Sequence, residues 1–192
     1  ANTEQQYAID QVLHAQQHYQ AFLLDGLTGS GKTEVYLQIM QEVLKQGKQI
    51  LVLVPEIGLT PQTIQRFRSR FACTTVILHS ALNDTKRLAA WQAAQTGQAS
   101  IILGTRSAIY TPLPRLGLII LDEEHDLSFK QQEGFRYHAR DVGMYRAYTE
   151  KCPIILGSAT PSVDSYALVK QQKMIHLTLN QRAGGASLPN MH

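Results

Sequence analysis

The run Gly26-Leu27-Thr28-Gly29-Ser30-Gly31-Lys32-Thr33 restricts what this chain can fold into more than any other stretch. It fits the pattern G-x-x-x-x-G-K-[S/T], and its flanks suit that pattern. Ala21-Phe22-Leu23-Leu24 before it reads as a buried strand, and Glu34 to Met40 after it has helical spacing. A loop joining a strand to a helix curls backbone N–H groups into an anion nest at the positive end of the helix. Glycines suit such a loop, because side chains would collide with phosphates and some positions need positive φ. Lys32 is then placed to reach the β- and γ-phosphates of a nucleotide, and the Thr33 hydroxyl to bind Mg²⁺. Gly26, Thr28, Gly29, Ser30 and Gly31 would form the cradle. An ordinary glycine-rich turn is the plain alternative.

The remaining pattern predicts an α/β fold. Helices are expected over 3–19, from Lys32 to near Gly47, and over 60–71, 84–96, 138–150 and 162–171. Strands are expected at 49–54, 75–79, 100–104, 116–121, 153–157 and 175–179. Apolar strands alternating with helices imply a mainly parallel sheet with helices on both faces. At 192 residues, 44% of them hydrophobic, the chain is long enough for one compact domain with its own core. That domain is expected over 1–182, with the Gly/Pro-bearing stretch 183–192 as a linker. The chain starts at Ala1 rather than Met, and is expected to be a piece of a larger protein.

Charge and cysteine content narrow the partners only slightly. A net charge of +3 permits a nucleic-acid partner without arguing for one. Cys73 and Cys152 are far apart and lack a C-x-x-C companion, so buried thiols in a reducing compartment are expected, neither a zinc site nor a disulfide. No apolar run approaches the ~20 residues that span a bilayer, and no signal peptide is visible. A cytoplasmic location without a membrane partner is expected.

A second group of chemistry-bearing residues, Asp122-Glu123-Glu124-His125, follows directly on the strand ending at Leu121. In open α/β sheets that edge is where ligands bind. Asp122, a hard oxygen donor, is the candidate for the Mg²⁺ shell, and Glu123 for orienting the attacking water and accepting its proton. A solvated strand end is the plain alternative, weakened by the phosphate-loop pattern at Lys32. His125 has no second histidine at helical spacing, which removes a zincin-type site. A polar link between the phosphate site and a neighbouring segment is expected for it instead.

These segments together resemble superfamily 2 helicases, and within them the bacterial replication-restart helicase family. The loop at 26–33, the acids at 122–125 and Gly157-Ser158-Ala159-Thr160-Pro161 resemble motifs I, II and III. Residues 54–62 resemble motif Ia, and Gly104-Thr105-Arg106-Ser107 motif Ib. The resemblance covers nearly the whole chain. It implies a RecA-like first helicase lobe that uses ATP and Mg²⁺, with the strand ending at Gly157 between the phosphate-loop strand and the Asp122 strand. Ser158 and Thr160 would sense the γ-phosphate and relay its loss. Gln5 would read adenine, although Ala1 and Asn2 depart from the family's pattern and a helix cap is the alternative. A GTPase would carry N-K-x-D, which is absent.

For DNA, the resemblance points to Thr60 and Gln62 of motif Ia and to Thr105, Arg106 and Ser107 of motif Ib. Hydroxyls, amides and cations grip phosphates in this way. Arg66, Arg68 and Arg70 cannot share one helical face and read mainly as solvated. The segment 129–140 interleaves aromatics and cations about Gly134. It resembles the family's aromatic-rich loop, with Phe135 coupling DNA binding to hydrolysis; packing of Phe129 and Phe135 into the core is the alternative. The implied partners are single-stranded and forked DNA, a second helicase lobe and DNA-binding domains outside this chain, and primosome and single-strand-binding proteins. The implied role is the ATP-binding lobe of a DNA helicase in replication restart. Because such enzymes take arginine fingers from a second lobe, the chain alone is expected to be nearly inactive. A passive nucleotide- and DNA-binding lobe, or a lobe of another superfamily 2 translocase, is the alternative.

Overall fold

The computed structural model describes residues 1–180; the predicted linker at 183–192 lies outside the described residues. Nine strands and six helices form the described part. The strands are β1 (Gln20–Gly26), β2 (Gln49–Leu53), β3 (Thr75–Leu78), β4 (Ile101–Gly104), β5 (Leu116–Leu121), β6 (Lys130–Gln131), β7 (Tyr137–His138), β8 (Pro153–Ser158) and β9 (Ile175–Leu179). The helices are α1 (Thr3–His14), α2 (Lys32–Lys45), α3 (Pro61–Arg70), α4 (Asp84–Gln95), α5 (Ala139–Glu150) and α6 (Val163–Lys170). Seven strands make one sheet in the order β3-β4-β2-β5-β8-β1-β9. Every pairing in it is parallel.

Side-chain alternation assigns the two faces. From β1, Phe22 and Leu24 join one core with residues of α1, α2 and α3, while Ala21 and Leu23 join the other with residues of α4, α5 and α6. The strands between them are apolar on both sides, as a doubly covered parallel sheet requires. Because β8 and β5 lie between β1 and β2, the loops leaving β1, β8 and β5 emerge side by side at the C-terminal edge. Among the described residues no helix is long and apolar enough to cross a membrane.

Three expectations need correcting. The first helix ends at His14, not near 19; residues 15–19 turn the chain into β1, and the Tyr19 ring meets Tyr148 edge-on at 5.6 Å. No glycine or proline marks that stop. Cys73 is half-buried rather than buried, whereas Cys152 is buried; both are free thiols, and burial pushes Cys152 up to about 12. The segment after the acids contains an antiparallel hairpin, β6–β7, with Gly134 at its turn adopting φ +67°.

Candidate functional site

The loop between β1 and α2 is built by its glycines. Gly29 and Gly31 have φ values of +83° and +90°, which a Cβ would strain. Gly31 is the N-cap of α2 and contributes no side chain, so the first N–H groups of that helix stay open toward the loop. Thr28, Gly29, Gly31, Lys32 and Thr33 line a cavity of about 600 Å³. Gly26 and Ser30 lie behind it. The Lys32 Nζ donates to the Gly26 carbonyl at 2.7 Å, and the buried Ser30 hydroxyl has no hydrogen-bond partner among the described residues.

Asp122 and Glu123 line the same cavity from the end of β5. The Asp122 amide donates to the Leu53 carbonyl at 2.9 Å, tying the turn to β2. Glu123 has a left-handed backbone, φ +52°, rare for a residue with a side chain. The Asp122 pKa is raised by burial and by the Glu123 carboxylate, against the opposing pull of the Tyr36 hydrogen bond and the Lys32 ammonium. Tyr36, on α2, donates its hydroxyl to Asp122 Oδ1 at 2.9 Å. Burial first, and then Asp122, hold that phenol well above its usual pKa. A second cavity of about 430 Å³ adjoins the first and shares Thr33, Arg66, Asp122 and Glu123 with it. Arg66, read from sequence as solvated, is exposed yet stands at the rim of both.

The remaining polar residues connect the acids to motif III. Ser158 Oγ lies 2.6 Å from His125 Nδ1 and accepts the Thr160 amide at 3.0 Å. His125 Nδ1 is also 3.7 Å from the Glu123 carboxylate. Glu124 turns the other way and is buried. Its two carboxylate oxygens accept the Ser162 amide at 2.7 Å and the Ser162 and Ser165 hydroxyls at 3.1 and 2.9 Å. It therefore anchors the start of α6. Neither Glu124 nor Tyr36 was singled out from sequence: one looked like part of a solvated acidic run, the other like a core position of a helix.

Several candidates sit elsewhere. Gln5 is 5% exposed and does not line the cavity. Its side-chain Oε1 accepts the Asn2 backbone amide at 2.9 Å in a capping box, and its Nε2 donates to the Ser30 carbonyl at 3.0 Å. It caps α1 and braces the phosphate loop from behind. Thr105 is 3% exposed, so it does not face a surface groove. Arg106 spends its Nη1 on the Ser128 and Lys130 carbonyls at 2.9 and 3.0 Å, fastening the β6–β7 hairpin. Ser107 and Gln62 are exposed; Thr60 is exposed and caps α3. Phe129 is wholly buried while Phe135 is 80% exposed at the hairpin, so the two aromatics do not share the core. Phe135 lies 6.3 Å from the Tyr137 ring.

A phosphate loop after β1, facing acids after β5 across an intervening β8, defines a RecA-like nucleotide-binding lobe. The DEAD/DEAH box helicase family model matches residues 2–169, and the chain belongs to that family. It is 53% identical to the replication restart protein PriA of Haemophilus influenzae over 186 residues, covering 97% of this chain and 25% of that protein. It is 51% identical to the Synechocystis protein of the same name, covering 96% and 23%. The chain thus spans about a quarter of the length of these relatives. Among solved structures, RecG bound to a three-way DNA junction superposes with a TM-score of 0.73 at 22% identity, covering 97% of this chain and 24% of RecG. The Hef helicase domain of Pyrococcus furiosus gives 0.61 at 21% identity, covering 90% and 38%. At these identities the likeness speaks for the fold.

Proposed function

We propose that this chain is the ATP-binding lobe of an ATP-dependent DNA helicase that acts in replication restart, coupling hydrolysis to movement along DNA. One observation carries the proposal: Lys32 and Thr33 meet Asp122 and Glu123 around a single cavity, although 90 residues separate the two motifs. The donor set suits Mg·ATP. The open N-terminus of α2 offers unsatisfied N–H donors to an anion. Among the described residues no three His, Cys, Asp or Glu side chains cluster as a metal site. A magnesium ion at this site would be held by one hydroxyl, one carboxylate and the nucleotide's own oxygens. Bound there, Mg²⁺ would neutralise charge on the transferring phosphoryl group.

Within this reading each residue has a task. Lys32 leaves the Gly26 carbonyl to meet the phosphates. Thr33 and Asp122 hold the ion, and Glu123 orients water. The Ser158 hydroxyl, bridging His125 and the Thr160 amide, transmits the state of the γ-phosphate toward the DNA side. Gln5 acts by bracing the loop. Thr60, Gln62 and Ser107 face the DNA backbone, Arg106 holds the hairpin that presents Phe135, and Thr105 supports motif Ib from inside. The name of the PriA relatives supports a role in replication restart; forked and single-stranded DNA as substrate, primosome and single-strand-binding proteins as partners and a cytoplasmic location are what the family resemblance implies. The test is binding of a fluorescent ATP analogue with and without Mg²⁺. Lys32→Ala should remove binding while the melting temperature stays within a few degrees; unchanged affinity would mean that the phosphates bind elsewhere.

A further inference from the structure

We propose that Tyr36 is a positioning residue for the magnesium ligand Asp122, and that Gly157 exists to let it reach that carboxylate. The inference rests on reading the cavity as a Mg·nucleotide site. Tyr36 stands three residues after Thr33 on α2, so both project from one side of the helix. Its side chain is 2% exposed. Its hydroxyl donates to Asp122 Oδ1 at 2.9 Å, across 86 residues of sequence. Tyr36 lines the second cavity and not the one lined by the phosphate loop. It therefore grips the carboxylate from behind without occupying space a phosphate needs. One oxygen of Asp122 is fixed by this bond, and the carboxylate loses its freedom to rotate out of line with Thr33.

Gly157 supplies the independent observation. It ends the apolar stretch of β8, between β5 and β1, with an ordinary φ, so conformational freedom does not explain a glycine there. Space does. A Cβ on residue 157 would collide with the Tyr36 hydroxyl oxygen and lie 2.9 Å from its Cζ and 3.1 Å from Asp122 Oδ1. The glycine is the notch through which the phenol crosses beneath β8 to the acid on β5. The same residue's carbonyl accepts the Glu124 amide at 2.9 Å. Motif I, motif II and the strand of motif III thus meet at one hydroxyl. Outer groups that orient a metal ligand typically set 10- to 100-fold of metal affinity.

The experiment uses the full-length protein and reads binding of a fluorescent ATP analogue as Mg²⁺ is titrated. Tyr36→Phe removes one oxygen and keeps the ring in the core, and a melting curve confirms folding. Expected is unchanged affinity for the metal-free nucleotide, with about a tenfold or larger rise in the Mg²⁺ concentration needed for half the metal-dependent gain. Gly157→Ala should produce the same loss by displacing the hydroxyl. The double variant should be no worse than Gly157→Ala alone, because the alanine has already displaced the hydroxyl. An unchanged Mg²⁺ titration in Tyr36→Phe, or losses that add in the double variant, would overturn the role of Tyr36. A parent protein whose nucleotide binding ignores Mg²⁺ altogether would instead overturn the underlying reading of the site.

Discussion

Glu123 shows at the residue scale how local geometry serves a site. Its φ of +52° places a residue bearing a Cβ in the left-handed region, and its carbonyl accepts the Asp126 amide at 2.9 Å to close the turn. Left-handed backbone costs such a residue about 1 to 2 kcal/mol, and strain of this kind is concentrated at functional sites. Glu123→Gly should relieve it, less about 0.5 to 1 kcal/mol for the looser unfolded chain. Glu123→Ala keeps the strain, so the glycine variant should melt up to about 6 °C above the alanine variant. An alanine variant clearly more stable than the glycine variant would show that the turn is unstrained. The carboxylates of this turn were legible in the sequence because an acid pair ending an apolar strand has one edge to face. Tyr36 was not, since its position on α2 repeats at core spacing and nothing local tells a buried phenol with a distant partner from one without. The bracing role of Gln5 was half legible: the cap follows from Asn2-Thr3-Glu4-Gln5, but the bond to Ser30 depends on how α1 lies against the phosphate loop.

At the scale of elements, the β6–β7 hairpin is attached more by one side chain than by its own ladder. Two residues on each strand make a ribbon too short to be stable alone. Arg106, from the turn after β4, binds the Ser128 and Lys130 carbonyls where the chain enters β6, and Phe129 anchors that entry in the core. Hydrogen bonds from a charged donor contribute about 1.5 to 3 kcal/mol. Arg106→Ala should therefore speed amide hydrogen exchange across 128–138 by at least tenfold and leave the amides of β1, β5 and β8 unchanged. Uniform exchange across the chain, or none altered, would show that Arg106 does not fasten the hairpin. The resemblance to motif Ib pointed Arg106 toward DNA; its contacts in the fold lie 22 and 24 residues away and leave no local pattern. The five inner strands β4, β2, β5, β8 and β1 were legible for the opposite reason, each carrying a continuous apolar run that only a doubly covered sheet can bury.

The whole molecule is an edge with three loops on it. Because β1, β8 and β5 are neighbours, phosphate loop, motif III and acids share one rim, and under the proposed function that rim would hold the ion and orient the water. Charge opposite the γ-phosphate is different. Among the described residues Arg66 is the one guanidinium lining the nucleotide cavity, and it stands exposed on α3, where solvent weakens it. Relatives of this family carry about four times this length of chain, and the resemblance to superfamily 2 enzymes places their arginine fingers on a second lobe. Loss of such a finger costs about 10³ to 10⁵ in rate. Residues 1–192 alone should thus bind Mg·ATP weakly yet turn it over at least about 10³-fold more slowly than the full-length protein, with or without forked DNA. Arg66→Ala decides where the missing charge comes from. If the short chain is slow and Arg66→Ala leaves its residual rate within a factor of two, the finger is supplied from elsewhere. Rapid turnover by the short chain that Arg66→Ala abolishes would show instead that α3 delivers the charge itself, making the helix that begins at motif Ia part of the nucleotide site.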